Sequence, residues 1–203
     1  LILIKGIDSV GFQVFKSNPI LRNLFVKYNN PSNRVSVFNS LKTNLKKSDK
    51  IINIGCGTCL LDEYLAESGY NVSSIDIYDG ALSEKIVPIV YDGEKIPSKS
   101  GEYDIALMLS ILHHVPNQKK LIKEAKRTAK RIIIQEDIVS GEIFTGMHSV
   151  FDNFINLDFS LQKNQYHSID EWVEIFTKCG LKVKSIDKKK SYLFLEQATF
   201  VLE

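Results

Sequence analysis

The run Lys50-Ile51-Ile52-Asn53-Ile54-Gly55-Cys56-Gly57-Thr58-Cys59 opens an amphipathic stretch, and a second apolar run then ends in Asp76, nineteen residues after Gly57. A strand, a glycine turn, a helix and a second strand closing on an acid define a βαβ unit with a nucleotide-type cofactor site at the strand ends. Gly55 and Gly57 let the backbone turn sharply and approach a ligand where a Cβ would clash. The helix that follows aims unpaired N–H groups at that ligand. Asp76 stands where a carboxylate accepts hydrogen bonds from ribose hydroxyls.

From Lys50 onward, short apolar runs alternate with amphipathic stretches, the mark of an α/β sheet. Strands are expected over 50–54, 71–76, 87–91, 103–109, 131–137, 181–187 and 192–202. Helices are expected over 59–68, 117–129 and 168–179. The last carries a capping box, Ser168-Ile169-Asp170-Glu171, and stops at Gly180. Upstream, Val35, Val37, Phe38, Leu41 and Leu45 share one helical face, with Ser32 or Asn33 as the N-cap. Residues 1–33, ending in Asn29-Asn30-Pro31-Ser32-Asn33, read as a helical extension to a domain spanning 34–203. The stretch at about 140–165 breaks the alternation; Phe144, Phe151, Phe154 and Phe159 make it an aromatic insertion, placed to roof a site at the strand ends or to cover one sheet face.

At 203 residues, with 44% hydrophobic and 25% charged side chains, one chain can bury one full core. The formal net charge of +2 supplies no field that selects for nucleic acid or an anionic membrane. Lys119, Lys120, Lys123, Lys126, Arg127, Lys130 and Arg131 form a local basic series, expected to be an exposed helix face. Leu1-Ile2-Leu3-Ile4 is too short to span a bilayer. An odd cysteine count suits a reducing compartment, so a cytoplasmic protein is expected. Cys56 and Cys59 form a C-x-x-C. No second ligand pair stands at zinc-like spacing, and the reading preferred over a redox or zinc pair is free thiols lining a turn.

Three segments together resemble the class I methyltransferases that use S-adenosylmethionine, in particular the small single-domain ubiquinone- and sterol-type group. These are IINIGCGTCLLDEYLAESGYNVSSIDI, VPIVYDGEKIPSKSGEYDIALMLSILHHVPN and RIIIQEDIV, which fall in the order and at the spacing of that family's motifs over residues 34–139. The resemblance implies a Rossmann-like, mostly parallel seven-stranded sheet with helices on both faces and an antiparallel last strand, the final hairpin forming the antiparallel edge. It also implies S-adenosylmethionine as cofactor. Gly55 and Gly57 would pass beneath its amino acid part, flanked by Asn53 and Cys56, and Asp76 would hold the ribose. Ile77 would flank the adenine, and Asp92 with Gly93 would supply the acidic turn at its amine. Leu109 and Ser110 would approach the methionine end.

Two positions depart from the family pattern. Asn53 stands where an acid is common, and Cys59 where a third glycine is usual; at the first turn of a helix Cys59 is expected to need no positive φ. A dehydrogenase of the same fold fails at its third glycine, because Leu60 occupies that position, and no Tyr-x-x-x-Lys pair follows the fourth strand.

Methyl transfer from a sulfonium asks mainly for alignment, and a hydroxyl or phenol acceptor asks in addition for a base. His113, His114 and Asp137 are the catalytic candidates, with Glu136, His148, Tyr166 and His167 as further polar groups near the strand ends. The recurrence of LHHVP-like runs across the family with unlike acceptors favours an architectural role for at least one of these histidines. No Asp, Asp, Asn set matches catechol-type metal sites, so transfer without a metal is expected. The acceptor is expected to be a small molecule, apolar or aromatic, with nucleic acid or protein acceptors left open. A noncatalytic S-adenosylmethionine-binding partner subunit is the alternative.

Overall fold

Side chains alternate across the central strands and so sort the core into two layers. Ile51, Ile105, Leu107 and Ile133 face one side, while Ile52, Ile54, Ala106, Met108, Ile132 and Ile134 face the other. The computed structural model describes residues 17–20, 23, 31–138, 165–190 and 196–203. Its elements are α1 (Pro31–Leu41), β1 (Lys50–Ile54), α2 (Leu60–Glu67), β2 (Asn71–Asp76), β3 (Ile89–Val90), β4 (Tyr103–Leu109), α3 (Gln118–Thr128), β5 (Ala129–Ile138), α4 (Ile169–Lys178), β6 (Val183–Lys190) and β7 (Glu196–Leu202).

The first layer lies under α1 and α2, with Leu41, Phe38, Leu61 and Leu65 against the sheet. The second lies under α3 and α4, where Leu121, Ile122, Ala125, Trp172 and Phe176 pack on the strands. Trp172 and Phe176 stack at 5.6 Å, and Phe176 meets Phe200 of β7 edge-on at 5.1 Å. These aromatics tie α4 to the antiparallel part of the sheet.

The strand order is β3-β2-β1-β4-β5-β7-β6. Strands β1 to β5 run parallel, and β7 is antiparallel to both β5 and β6. As expected, the last strand is antiparallel; it lies between β5 and β6, and the β6–β7 pair forms the antiparallel margin of the sheet. Phe200 and Leu202 of β7 are buried beside β5. The edge strand carries Lys184, Lys188, Lys189 and Lys190, charges that discourage pairing with another chain.

The expected helices and strands over the described residues are present within a few residues of their bounds; β3 shrinks to Ile89–Val90 and α1 begins at Pro31. Proline has its φ preset for a first helical position, and Ser32 and Asn33 lie inside the helix. The capping box of α4 is complete, with Ser168 accepting from the Glu171 N–H and Glu171 accepting from the Ser168 N–H. The insertion, with Phe144, His148, Phe151, Phe154 and Phe159, lies outside the described residues. Among the described residues no helix is long and apolar enough to cross a membrane.

Candidate active site

The strand order reverses between β1 and β4, and the crevice outside their carboxyl ends is where an open α/β sheet binds ligands. Two turns border it, Gly55 to Cys59 after β1 and Ser110 to His114 after β4. The first is anchored from β2: Gly55 and Cys56 donate to the Ile75 carbonyl at 2.8 and 3.2 Å, and the Gly57 N–H donates to Asp76 Oδ2 at 2.8 Å. Asp76 Oδ1 accepts from the Ile77 N–H at 2.7 Å. Burial raises the Asp76 carboxyl above its ordinary range, and these backbone N–H bonds partly offset it.

The two glycines do different work. A Cβ on Gly55 would stand 1.8 Å from Ile111 Cδ1, so this glycine is required by the loop after β4 packing onto it. A Cβ on Gly57 would meet nothing within 4 Å, and its φ of +53° keeps the open side of the turn bare backbone. The cradle for a ligand is thus centred on Gly57 and Asp76.

Cys59 contradicts the expectation drawn for it. It is the N-cap of α2 at φ +57° and ψ +10°, the left-handed conformation a third glycine would adopt, and its side chain is fully buried. The turn needs that conformation whichever residue fills it, because the Cys59 N–H closes on the Cys56 carbonyl at 3.0 Å before the helix begins. The two sulfurs lie 3.1 Å apart.

The departure at Asn53 has a structural counterpart. Asn53 Nδ2 donates to Asp62 Oδ1 at 2.7 Å, both residues buried. An acid at position 53 would face the Asp62 carboxylate across that distance; the amide supplies the donor. Burial pushes the Asp62 carboxyl up to about 6, with Ser74 and Asn53 partly offsetting it and the charge of Asp76 adding to it.

The loop after β4 is held by one side chain. Glu136, fully buried on β5, accepts from the Ile111 and Leu112 N–H groups on Oε1 at 2.9 and 2.7 Å and meets His113 Nδ1 with Oε2 at 2.6 Å. His113 is itself buried, stacked on Tyr166 at 4.9 Å and tilted against His114 at 4.1 Å. Ser110 enters this loop at φ +52°, its N–H donating to the Gln135 carbonyl at 2.7 Å.

Tyr166 and His167 bring the chain back to the same place. His167 bridges to Ile138 at the end of β5, and its Nε2 lies 2.9 Å from Gln118 Oε1. Because Gln118 Nε2 donates to the Leu112 and Gln165 carbonyls, its Oε1 is the acceptor and His167 Nε2 carries a proton. Burial lowers the His167 pKa, favouring the neutral ring. Gln118 is not among the residues expected at the site; its burial in the first turn of an otherwise basic helix is decided by packing.

The remaining candidates are spread around this centre. Asp137, next to Glu136 on β5, points the other way and accepts from Gln197 Nε2 at 3.1 Å. Asp92 Oδ1 accepts from the Glu94 and Lys95 N–H groups, shaping the turn that contains Gly93 at φ +76°. Ile77 sits beneath that turn, 3.2 Å from where a Gly93 Cβ would stand. Leu109 ends β4 beside the crevice, partly buried.

Several of the basic residues are engaged within the fold. Arg127 donates to the Ile96 and Ser98 carbonyls and pairs with Glu124. Lys126 donates to the Gly180 carbonyl past the end of α4, and Lys120 pairs with Glu94. Lys130 and Arg131 lie on β5, bound to Asp104 and to the Asn44 carbonyl.

Residues 52–131 match the family model described as a methyltransferase domain. The ubiquinone biosynthesis O-methyltransferase of Dechloromonas aromatica (strain RCB) is 29% identical over 92 residues, a stretch covering 40% of this chain and 40% of that protein. Magnesium protoporphyrin IX methyltransferase from Synechocystis PCC 6803 shares the fold with a TM-score of 0.63 over 97% of this chain and 95% of that one, at 18% identity. The 1,6-didemethyltoxoflavin-N1-methyltransferase of Burkholderia thailandensis does so with a TM-score of 0.66 over 90% and 86%, at 13% identity.

The open sheet with one internal antiparallel strand is the fold that these two methyltransferases share with this chain, and residues 52–131 are similar in sequence to a methyltransferase domain. The chain spans about 40% of the length of the curated relatives it matches.

Proposed function

We propose that the protein transfers a methyl group from S-adenosylmethionine to a small-molecule acceptor by in-line displacement. The observation that carries this reading is the Gly57 and Asp76 pair, a bare backbone turn tied to a buried carboxylate at the sheet's switch point. The fit to the cofactor is chemical as well as spatial: Asp76 and Asp62 give the turn negative character, which suits a ligand bearing a sulfonium and an ammonium.

In this reading Gly57 passes beneath the amino acid part, with Gly55, Asn53 and Cys56 shaping the turn, and Asp76 accepts from the ribose hydroxyls. Ile77, Asp92 and Gly93 border the adenine, and Leu109 and Ser110 border the methionine end. The bound cofactor supplies an activated methyl group. The chain's own task is to align the acceptor with that methyl, to exclude water and, for a hydroxyl acceptor, to take up a proton.

His114 is the candidate for that proton, whereas Asp137 points away from Glu136 and is engaged by Gln197. His113, held on Nδ1 by Glu136, is read as a positioning residue that fixes the loop bordering the acceptor. The names of the relatives favour an oxygen acceptor carried on a small apolar molecule, and the aromatic character of residues 140–165 supports the same class. Residues 34–203 are read as the catalytic domain, working without a metal in the transfer step, and three free cysteines support a cytoplasmic setting.

Calorimetric titration with S-adenosylmethionine and, separately, with NAD tests the reading. Binding of the first alone supports it and justifies screening phenolic acceptors with labelled methyl. Binding of the first with no transfer to any acceptor would turn the reading toward a noncatalytic partner subunit, and binding of neither would overturn it.

A further inference from the structure

We infer that Cys56, Cys59 and Asp62 form a binding site for a thiophilic divalent cation, of the zinc and cadmium type, beside the glycine cradle. The two Sγ atoms and a carboxylate oxygen of Asp62 all lie within 4.8 Å of one another. Spacing in the chain explains the cluster. A hydrogen-bonded turn brings Cys56 and Cys59 together, and Asp62 follows in the first turn of α2, on the face that looks back at them.

A buried carboxylate that the fold leaves incompletely satisfied points to a ligand there. Asp62 is fully buried, and while Asn53 holds its Oδ1 at 2.7 Å, no formed hydrogen bond reaches its Oδ2 among the described residues; the neighbouring Ser74 hydroxyl eases its charge only in part. A buried carboxylate oxygen left this way is costly unless something completes it. Cys59, fully buried in the left-handed conformation that the turn imposes, brings its Sγ to 3.1 Å from that of Cys56.

The donor set selects the ion. Two sulfurs exclude magnesium and calcium, which take oxygen, and favour zinc or cadmium. Zinc to sulfur distances near 2.3 Å in a tetrahedron set the two sulfurs about 3.8 Å apart, so the pair would open by less than about 1 Å. Three protein ligands leave a fourth position for water. Asn53, donating to the carboxylate, orients it as an outer-shell partner would.

Cys56 and Cys59 bracket Gly57, whose N–H holds Asp76. An ion that opens this turn disturbs the cradle, so cation and cofactor compete. That coupling rests on the cofactor reading; the cation site itself does not.

The test begins with cadmium alone, titrated into the reduced protein and followed by calorimetry and by the ultraviolet thiolate charge-transfer band. The parent and Cys179→Ser are expected to bind about one ion per chain. Cys56→Ser and Cys59→Ser should each bind more than about 100-fold weaker, beyond the loss typical of an outer-shell partner, and Asp62→Asn about 10-fold weaker. Circular dichroism of Cys56→Ser, the half-buried member, separates lost binding from lost fold. Parent-like affinity in both cysteine variants, or loss of binding in Cys179→Ser, would overturn the site. Repeating the titration with S-adenosylmethionine present should weaken cadmium binding, and an unchanged affinity would overturn the competition. If S-adenosylmethionine itself does not bind, the cofactor reading fails while the cadmium result still decides the site.

Discussion

Glu136 Oε2 lies 2.6 Å from His113 Nδ1, with both side chains buried, and the same carboxylate gathers the Ile111 and Leu112 N–H groups. One residue of β5 thus sets the course of the loop after β4, which borders the proposed acceptor site. Removing His113 leaves a buried carboxylate short of a partner. His113→Ala should destabilise the protein by about 3 kcal/mol, while His114→Ala, more exposed, should cost much less. Urea unfolding of the two variants makes the comparison, and equal small effects would reject the positioning role.

Asp76→Asn preserves shape and removes the charge that a ribose would use. S-adenosylmethionine affinity should fall by about 10- to 100-fold, matching about 1.5–3 kcal/mol for hydrogen bonds to a charged group. Unaltered calorimetric affinity would remove Asp76 from the cofactor site.

Asp62 carries a pH signature. Its carboxyl titrates at about 6 in the folded chain against an ordinary 3.8, so the native state binds the proton more tightly than the unfolded one. Its contribution is fully favourable below about pH 4 and is lost as pH rises through about 6. Asp62→Asn should therefore stabilise the cation-free protein at neutral pH, by up to about 3 kcal/mol, with the gain vanishing toward pH 4. Denaturation midpoints of parent and variant from pH 4 to pH 8 read the difference, and a gain that grows on acidification would contradict the assignment.

Ser110 is held at φ +52°. Ser110→Gly should raise stability by up to about 1 kcal/mol, because glycine adopts that conformation without strain. If the strained turn presents the hydroxyl to the methionine end, turnover should fall in the same variant. A variant more stable and fully active would make the strain structural only.

The glycine turn, the acid closing β2 and the alternation of runs made the fold legible from sequence, because each is a local consequence of backbone sterics and side-chain periodicity. The same locality exposed the capping box at Ser168 and Glu171. What escaped was decided between segments far apart in the chain. The packing that requires Gly55 comes from Ile111, more than fifty residues downstream. The pleat sends Glu136 inward to His113 and Asp137 toward Gln197, a division that adjacency in the chain does not reveal. Cys59 stands where a helical residue is expected, and closure of the turn on Cys56 holds it left-handed.

The sequence by itself determined an α/β sheet with a glycine turn between β1 and α2 and an acid closing β2, since those features follow from short-range pattern. Only the tertiary structure decided that β7 lies inside the sheet, that Glu136 organises the loop after β4, and that two thiols and a buried carboxylate converge beside the cradle. Such pairings depend on which faces meet when the layers pack, and no local pattern encodes that.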